Sequence, residues 1–182
     1  MEELVLNSKK GDIVSFTKLI QIVQNDLYRI AKVRLSNDED VNDVIQETMI
    51  IAYSSIKKLK NPKYFKTWII KILINECNKI YRNNRKQLTL LEKINVSKEI
   101  RVDIDDEILK QDTKLKLEEI LQLLNYNERI CIVLFYNSNY SLKEISDILN
   151  TSSNTIKSRI TRAKQKIKKY YEGGVENEIS KR

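Results

Sequence analysis

Apolar residues recur at three- and four-residue steps through most of the chain, the period of amphipathic helices rather than strands. Ile13, Phe16, Leu19, Ile20, Val23, Leu27, Ile30 and Ala31 make one stripe, with Asp12 placed as N-cap. Ser36 and Glu39 have capping-box spacing and open a second helix that turns Val41, Val44, Ile45, Ala52 and Ile56 inward. Asn61 is a capping residue placed before Pro62, which is suited to the first helical position. The helix that follows is expected to bury Phe65, Trp68, Ile69, Ile72, Leu73 and Ile80. No alternating run of useful length competes, so the expected fold class is all-α.

The pattern breaks from about Lys86 to Asp112 and then resumes. Leu115 to Leu124 reads as a helix, and Asn125/Glu128 and Ser141/Glu144 have capping-box spacing before two more. The short helix 142–149 carries Leu142, Ile145, Ile148 and Leu149. After a brief polar turn, a longer helix aligns Ile156, Ile160, Ala163, Ile167 and Tyr170, and Gly173–Gly174 are expected to stop it. The short polar tail from Val175 is expected to be mobile.

Charge sharpens the division. Residues 86–112 carry five basic and seven acidic residues, while 1–85 and 113–182 each have a net charge of +5. Two small helical domains, 1–85 and 113–182, joined by a flexible linker over 86–112, fit this better than one continuous bundle.

The 182 residues include no His, two Cys, three Gly and one Pro, at a net charge of +8. Without His there is no Ser–His–Asp triad or Cys–His pair. Cys77 and Cys131 alone cannot complete a tetrahedral zinc site. The glycines leave no room for a GxGxxG or Walker-type loop. No enzyme chemistry, metal or cofactor is expected, and the positive balance points to a polyanion. No apolar run is long enough to span a bilayer, and the acidic N-terminus does not resemble a secretory signal. A cytoplasmic location, with both cysteines buried, is expected.

A short helix, a tight turn and a longer helix make a helix-turn-helix pattern. Between Lys157 and Lys169 the longer helix carries Lys157, Arg159, Arg162, Lys164, Lys166, Lys168 and Lys169 and no acid. Such a set repels itself unless an anion offsets it, and DNA phosphate does so. The small polar start, Ser152, Ser153, Asn154 and Thr155, suits a helix end that enters a major groove. A second basic cluster, Lys57, Lys58, Lys60, Lys63 and Lys66, surrounds the turn before the third helix, with Arg82 and Arg85 near that helix's end and Tyr64, Phe65, Trp68 and Tyr81 interleaved. Cations with aromatics can hold single-stranded nucleic acid. Phe65 and Trp68 lie on the apolar stripe, however, which assigns them to the core ahead of a stacking role. Asn75 is an indifferent helix former in mid-helix.

Asp43-Val-Ile-Gln-Glu-Thr-Met49 followed by Tyr53 resembles the D-x-x-Q-E-T-F…A-Y signature of bacterial sigma factors. The run from Phe65 through Trp68 to Asn75 resembles that family's F-x-x-W-L-x-x-I-A-x-N. Tyr140 to Leu149 and Asn154 to Lys164 resemble Y-x-E-I-A-x-x-L and G-T-V-K-S-R-x-x-R-A-R. Three motifs in order cover most of the chain, and the two-domain layout is similar to the extracytoplasmic-function group. Asn154 stands where the family has Gly, and Ile72–Leu73 replace Ile–Ala.

The resemblance implies roles. Asp43, Gln46 and Glu47 would bind core RNA polymerase at the clamp helices of its largest subunit, with the flap as a second contact. Lys58, Lys60, Asn61, Lys63 and Asn75 would capture a base flipped from the single-stranded −10 element, where an amide can donate and accept at once. Ser153, Asn154, Lys157, Ser158, Thr161 and Arg162 would face the groove of the double-stranded −35 element, with Arg159 and Lys164 on phosphate. The linker would run near the RNA exit path, and an anti-sigma factor is a partner the resemblance leaves open. The implied function is promoter-specific initiation with assistance in melting. A stand-alone helix-turn-helix regulator is the nearest rival, against which the Asp43–Gln46–Glu47 motif argues. A nucleic-acid-processing enzyme has little room, since Asp38, Glu39 and Asp40 read better as dipole-complementing residues at a helix start.

Overall fold

The chain begins with a helix that the hydrophobic periodicity does not announce, α1 (Glu2–Lys9). Val5 is fully buried on it, and the Ser8 hydroxyl donates to the Leu4 carbonyl at 2.7 Å. Eight residues with a single buried apolar side chain are too short to show a stripe. Gly11 turns the chain at φ +100°, a conformation that favours glycine. Asp12 then caps α2 (Ile13–Arg34), accepting from Val14 N at 2.9 Å and Ser15 N at 3.3 Å.

The computed structural model describes residues 1–35, 37–91, 120–121 and 123–179. Helices, with a few tighter or wider turns, make up the fold, and there is no strand among the described residues. The chain divides into two compact units, residues 1–100 and 101–182.

In the first unit α2 packs against α1, α3 (Asp38–Ser55) and α4 (Phe65–Leu91). Phe16, Leu19, Ile20, Val23, Leu27, Ile30 and Ala31 are buried as the stripe requires, but Ile13 is 64% exposed. The cap of α3 is Asn37, which accepts from Glu39 N at 3.1 Å; Ser36, the residue that spacing favours, lies outside the described residues. A one-residue shift among small polar residues is invisible to pattern alone.

Between α3 and α4 run a 3₁₀ turn, Ile56–Lys58, and a second, Pro62–Tyr64, capped by Asn61. On α4, Phe65, Ile69 and Leu73 are buried, joined by Ile70, Ile74 and Cys77, while Trp68, Ile72 and Ile80 are only half-buried. Both α2 and α3 pack on this helix, and its buried face includes Ile70 and Ile74 beside Ile69 and Leu73. It continues to Leu91, past the point where the apolar pattern fades. Most of the 86–112 segment and most of the expected helix Leu115–Leu124 lie outside the described residues.

In the second unit both capping boxes form. Asn125 and Glu128 exchange hydrogen bonds at the start of α5 (Tyr126–Ile132), and Ser141 and Glu144 at the start of α6 (Leu142–Leu149). A π-helical turn, Val133–Asn137, follows α5. The last helix, α7 (Ser153–Ile179), runs through Gly173–Gly174 instead of ending there. Glycine permits a helix stop but does not impose one; its helical cost is about 1 kcal/mol.

Candidate nucleic-acid interface

The turn between α6 and α7 is fixed by its own polar groups. Asn150 caps α6 in the left-handed region, at φ 48° and ψ 50°. The Ser146 hydroxyl donates to the Thr151 carbonyl at 2.6 Å, and Thr151 N–H returns to the Ser146 carbonyl at 3.1 Å. Ser152 Oγ accepts from Thr155 N at 3.2 Å, so α7 starts at Ser153 with Asn154 already helical. This places Asn154, where the resembled motif has Gly, inside the first turn.

Ile156, Ile160 and Ala163 are buried and Ile167 half-buried on one face of α7. Ser153, Asn154, Lys157, Ser158, Thr161, Arg162 and Lys164 are exposed. The Ser158 hydroxyl donates to the Asn154 carbonyl at 2.9 Å, which leaves its lone pairs free to accept.

The cations of α7 are not all unpaired. Lys166 Nζ lies 2.7 Å from Glu128 Oε2, and Lys168 is 3.4 Å from Glu172. Lys164 sits over the Tyr136 ring at 5.3 Å. Arg159 is half-buried and interacts with the Cys131 thiol. Burial pushes the Cys131 thiol up, and the nearby Arg159 charge partly opposes this. Arg159 therefore also has a contact within the protein. Glu128 and Cys131 are remote in sequence, so nothing within the α7 segment discloses these partners.

In the first unit Lys58, Lys60, Asn61 and Lys63 are exposed between α3 and α4. The Asn61 side chain accepts from Lys63 N at 3.0 Å and so holds the turn. Asn75 is also exposed, but ten residues into α4, about 15 Å along the helix axis from Phe65. The loop and Asn75 therefore present two separate contact points.

Asp43, Gln46 and Glu47 are exposed on α3, away from its buried Val41, Thr48 and Ala52. They line a groove of about 330 Å³ with Val44, Ile50 and, from α4, Glu76, Lys79 and Ile80. Lys79 closes a 2.8 Å ion pair on Glu76 at the groove wall. The α4 wall and Ile50 lie outside the Asp43–Gln46–Glu47 motif, although Ile50, seven residues after Asp43, repeats the motif's helical spacing.

Comparison with known proteins gives the family. Sigma-70 region 2 matches residues 19–87, and Sigma-70, region 4 matches residues 114–167. The RNA polymerase sigma factor SigV of Bacillus subtilis (strain 168) is 31% identical over 148 residues, 77% of this chain and 81% of that protein. The chain belongs to the sigma-70 family of RNA polymerase sigma factors, in the extracytoplasmic-function group.

The ECF RNA polymerase sigma factor SigW of the same organism is 29% identical over 171 residues, 88% of this chain and 91% of its own length. The sigma factor RpoE of Bartonella quintana, solved in complex with the anti-sigma factor NepR, shares the fold at a TM-score of 0.73 and 22% identity, over 88% of this chain and 98% of that one. Sigma factors are regulatory proteins, not catalysts, and serve promoter-specific transcription initiation with core RNA polymerase and promoter DNA. No helix among the described residues of this sigma factor is long and apolar enough to cross a membrane. The region 2 match holds the α3 groove, the lysine loop and Asn75, and the region 4 match holds α5, α6 and α7 as far as Ile167.

Proposed function

We propose that this sigma factor docks on the clamp helices of core polymerase through Asp43, Gln46 and Glu47. It captures unpaired −10 bases with the Lys58–Lys63 loop and Asn75, and reads the −35 duplex with Lys157, Ser158, Thr161 and Arg162. Ser153 and Asn154 approach the duplex at the helix start. Lys164 contributes to phosphate attraction, and Arg159 shares that task with its contact to Cys131. The polymerase flap and an anti-sigma factor are further partners, and the site of action is the cytoplasm. Domains of 1–85 and 113–182 with a linker of 86–112 suit this division of labour.

The observation that carries the reading is one chain with two exposed polar faces of opposite character. The face of α3 presents two carboxylates and an amide along a groove, and the face of α7 presents cations opposite its buried row. Promoter melting then follows from differential binding, because a factor that holds only unpaired bases shifts the duplex toward the open state.

The test is promoter affinity with and without core polymerase. The isolated protein is expected to bind weakly, and the complex tightly and promoter-specifically. Tight sequence-specific binding that polymerase does not change would instead make the chain a stand-alone helix-turn-helix regulator.

A further inference from the structure

The loop between α3 and α4 is held mostly by bonds within itself. Leu59 N–H donates to the Ile56 carbonyl at 3.1 Å, Tyr64 N–H to the Asn61 carbonyl at 3.1 Å, and Lys63 N–H to the Asn61 side chain. Its exposed cations, Lys57, Lys58, Lys60 and Lys63, repel one another in the absence of an anion. Among the described residues, the hydrogen bond that ties this loop to a distant part of the chain comes from α1. Lys9 Nζ donates to the Leu59 carbonyl at 2.9 Å, across fifty residues of sequence. Lys9 is half-buried, Leu59 is buried, and α1 packs on both 3₁₀ turns.

We propose that Lys9 is a positioning residue for the base-capturing loop: its ammonium grips the Leu59 carbonyl and holds the loop in the shape that receives an unpaired base. The proposal rests on the reading of the loop given above. A loop already in its bound shape loses less conformational freedom when the base arrives, so the strut acts on melting without touching DNA. Bonds from charged donors are among the stronger ones, and this donor sits at the junction between the loop's two turns. The rest of α1 is anchored independently by Val5, which is fully buried, so the strut can be cut without releasing the helix.

The experiment uses the full chain. Amide hydrogen exchange is measured on the parent, Lys9→Met and Lys9→Arg, and open-complex formation is measured with core polymerase on duplex and pre-melted promoters. Lys9→Met is expected to speed exchange at Lys60 to Tyr64 while α4 and the body of α1 stay protected. It should slow opening of duplex promoter by roughly three- to tenfold, with a smaller effect on the pre-melted template. Lys9→Arg, which can still donate to the carbonyl, should restore most of both. Val5→Ala, which loosens all of α1, supplies the contrasting pattern of general loss. Parental loop exchange in Lys9→Met, or an Arg variant as defective as the Met one, overturns the proposal. Faster loop exchange with unchanged promoter opening leaves the strut in place and removes the base-capture reading of the loop instead.

Discussion

Lys166 Nζ donates to Glu128 Oε2 at 2.7 Å, joining the middle of α7 to the first turn of α5 across 38 residues. Glu128 is almost wholly buried and also accepts from Asn125 N–H at 3.2 Å. Burial pushes its carboxyl up. The Lys166 bond, the Asn125 N–H and the charges of Lys166 and Arg162 outweigh that and hold it below its ordinary value of 4.5. A carboxylate depressed on folding stabilises above its unfolded pKa, and this contribution is lost as pH falls through the folded one.

Glu128→Gln keeps the capping-box geometry and removes the charge. It should lower the stability of the C-terminal unit by about 2 kcal/mol at neutral pH. It should also flatten the loss of stability below about pH 4.5, the unperturbed value. Urea unfolding across a pH series checks both. A variant as acid-sensitive as the parent would place the acid response elsewhere.

Because Lys166 is committed to Glu128, it should not report on phosphate. Lys166→Ala is expected to cost stability while leaving the salt dependence of promoter binding unchanged. Replacing Lys168 and Lys169 together should lower the salt slope by up to about two units, equally on all sequences. The Lys168–Glu172 pair is exposed on both sides and is too weak to withhold Lys168 from DNA. Holoenzyme affinity over a salt series separates the two cases.

Arg162 should behave differently from these lysines. If it reads a guanine bidentately, Arg162→Ala costs roughly 1–3 kcal/mol on the best −35 sequence and much less on a mismatched one. A sequence-blind loss would move it to the phosphate backbone.

On α3, Gln46→Ala and Asp43→Arg should weaken the complex with core polymerase while leaving thermal unfolding near the parental midpoint, since both side chains are exposed. Co-elution with core enzyme and a calorimetric scan are the two measurements. A large fall in midpoint would mean that the motif serves the fold.

Asn75→Ala should reduce open-complex formation on duplex promoter and matter less on a template mismatched across the −10 region, where unstacking costs less. Its place on α4, about 15 Å beyond Phe65, suggests a further comparison. Combined with a Lys60→Ala change, its effects should be nearly additive, because the two exposed side chains stand on different elements and share no contact partner.

The sequence discloses what local chemistry writes. Asp12, Asn61, Asn125 and Ser141 all cap the turns that spacing assigns them, because a cap is a contract among three or four consecutive residues. The α7 face is legible for the same reason, as its apolar row and its polar face share one short period. What stays hidden is what distant partners decide. Glu128 answers Lys166, Lys9 answers Leu59, and Cys131 meets Arg159 across separations that periodicity cannot see. The burial of Ile70 and Ile74 in place of Trp68 and Ile72 depends on how helices are rotated against each other, which a single stripe leaves undetermined.

The division of α7 into a buried row and an exposed row also bears on how promoter preference can change over time. Lys157, Ser158 and Thr161 are exposed, so exchanging them should alter stability by no more than about 0.5 kcal/mol while rewriting what the helix reads. Vocabulary can drift, or be engineered, without renegotiating the fold. Arg162 is exposed as well, and the Glu128 carboxylate rests chiefly on Lys166 and Asn125, so this arginine too can be exchanged at little cost to the fold.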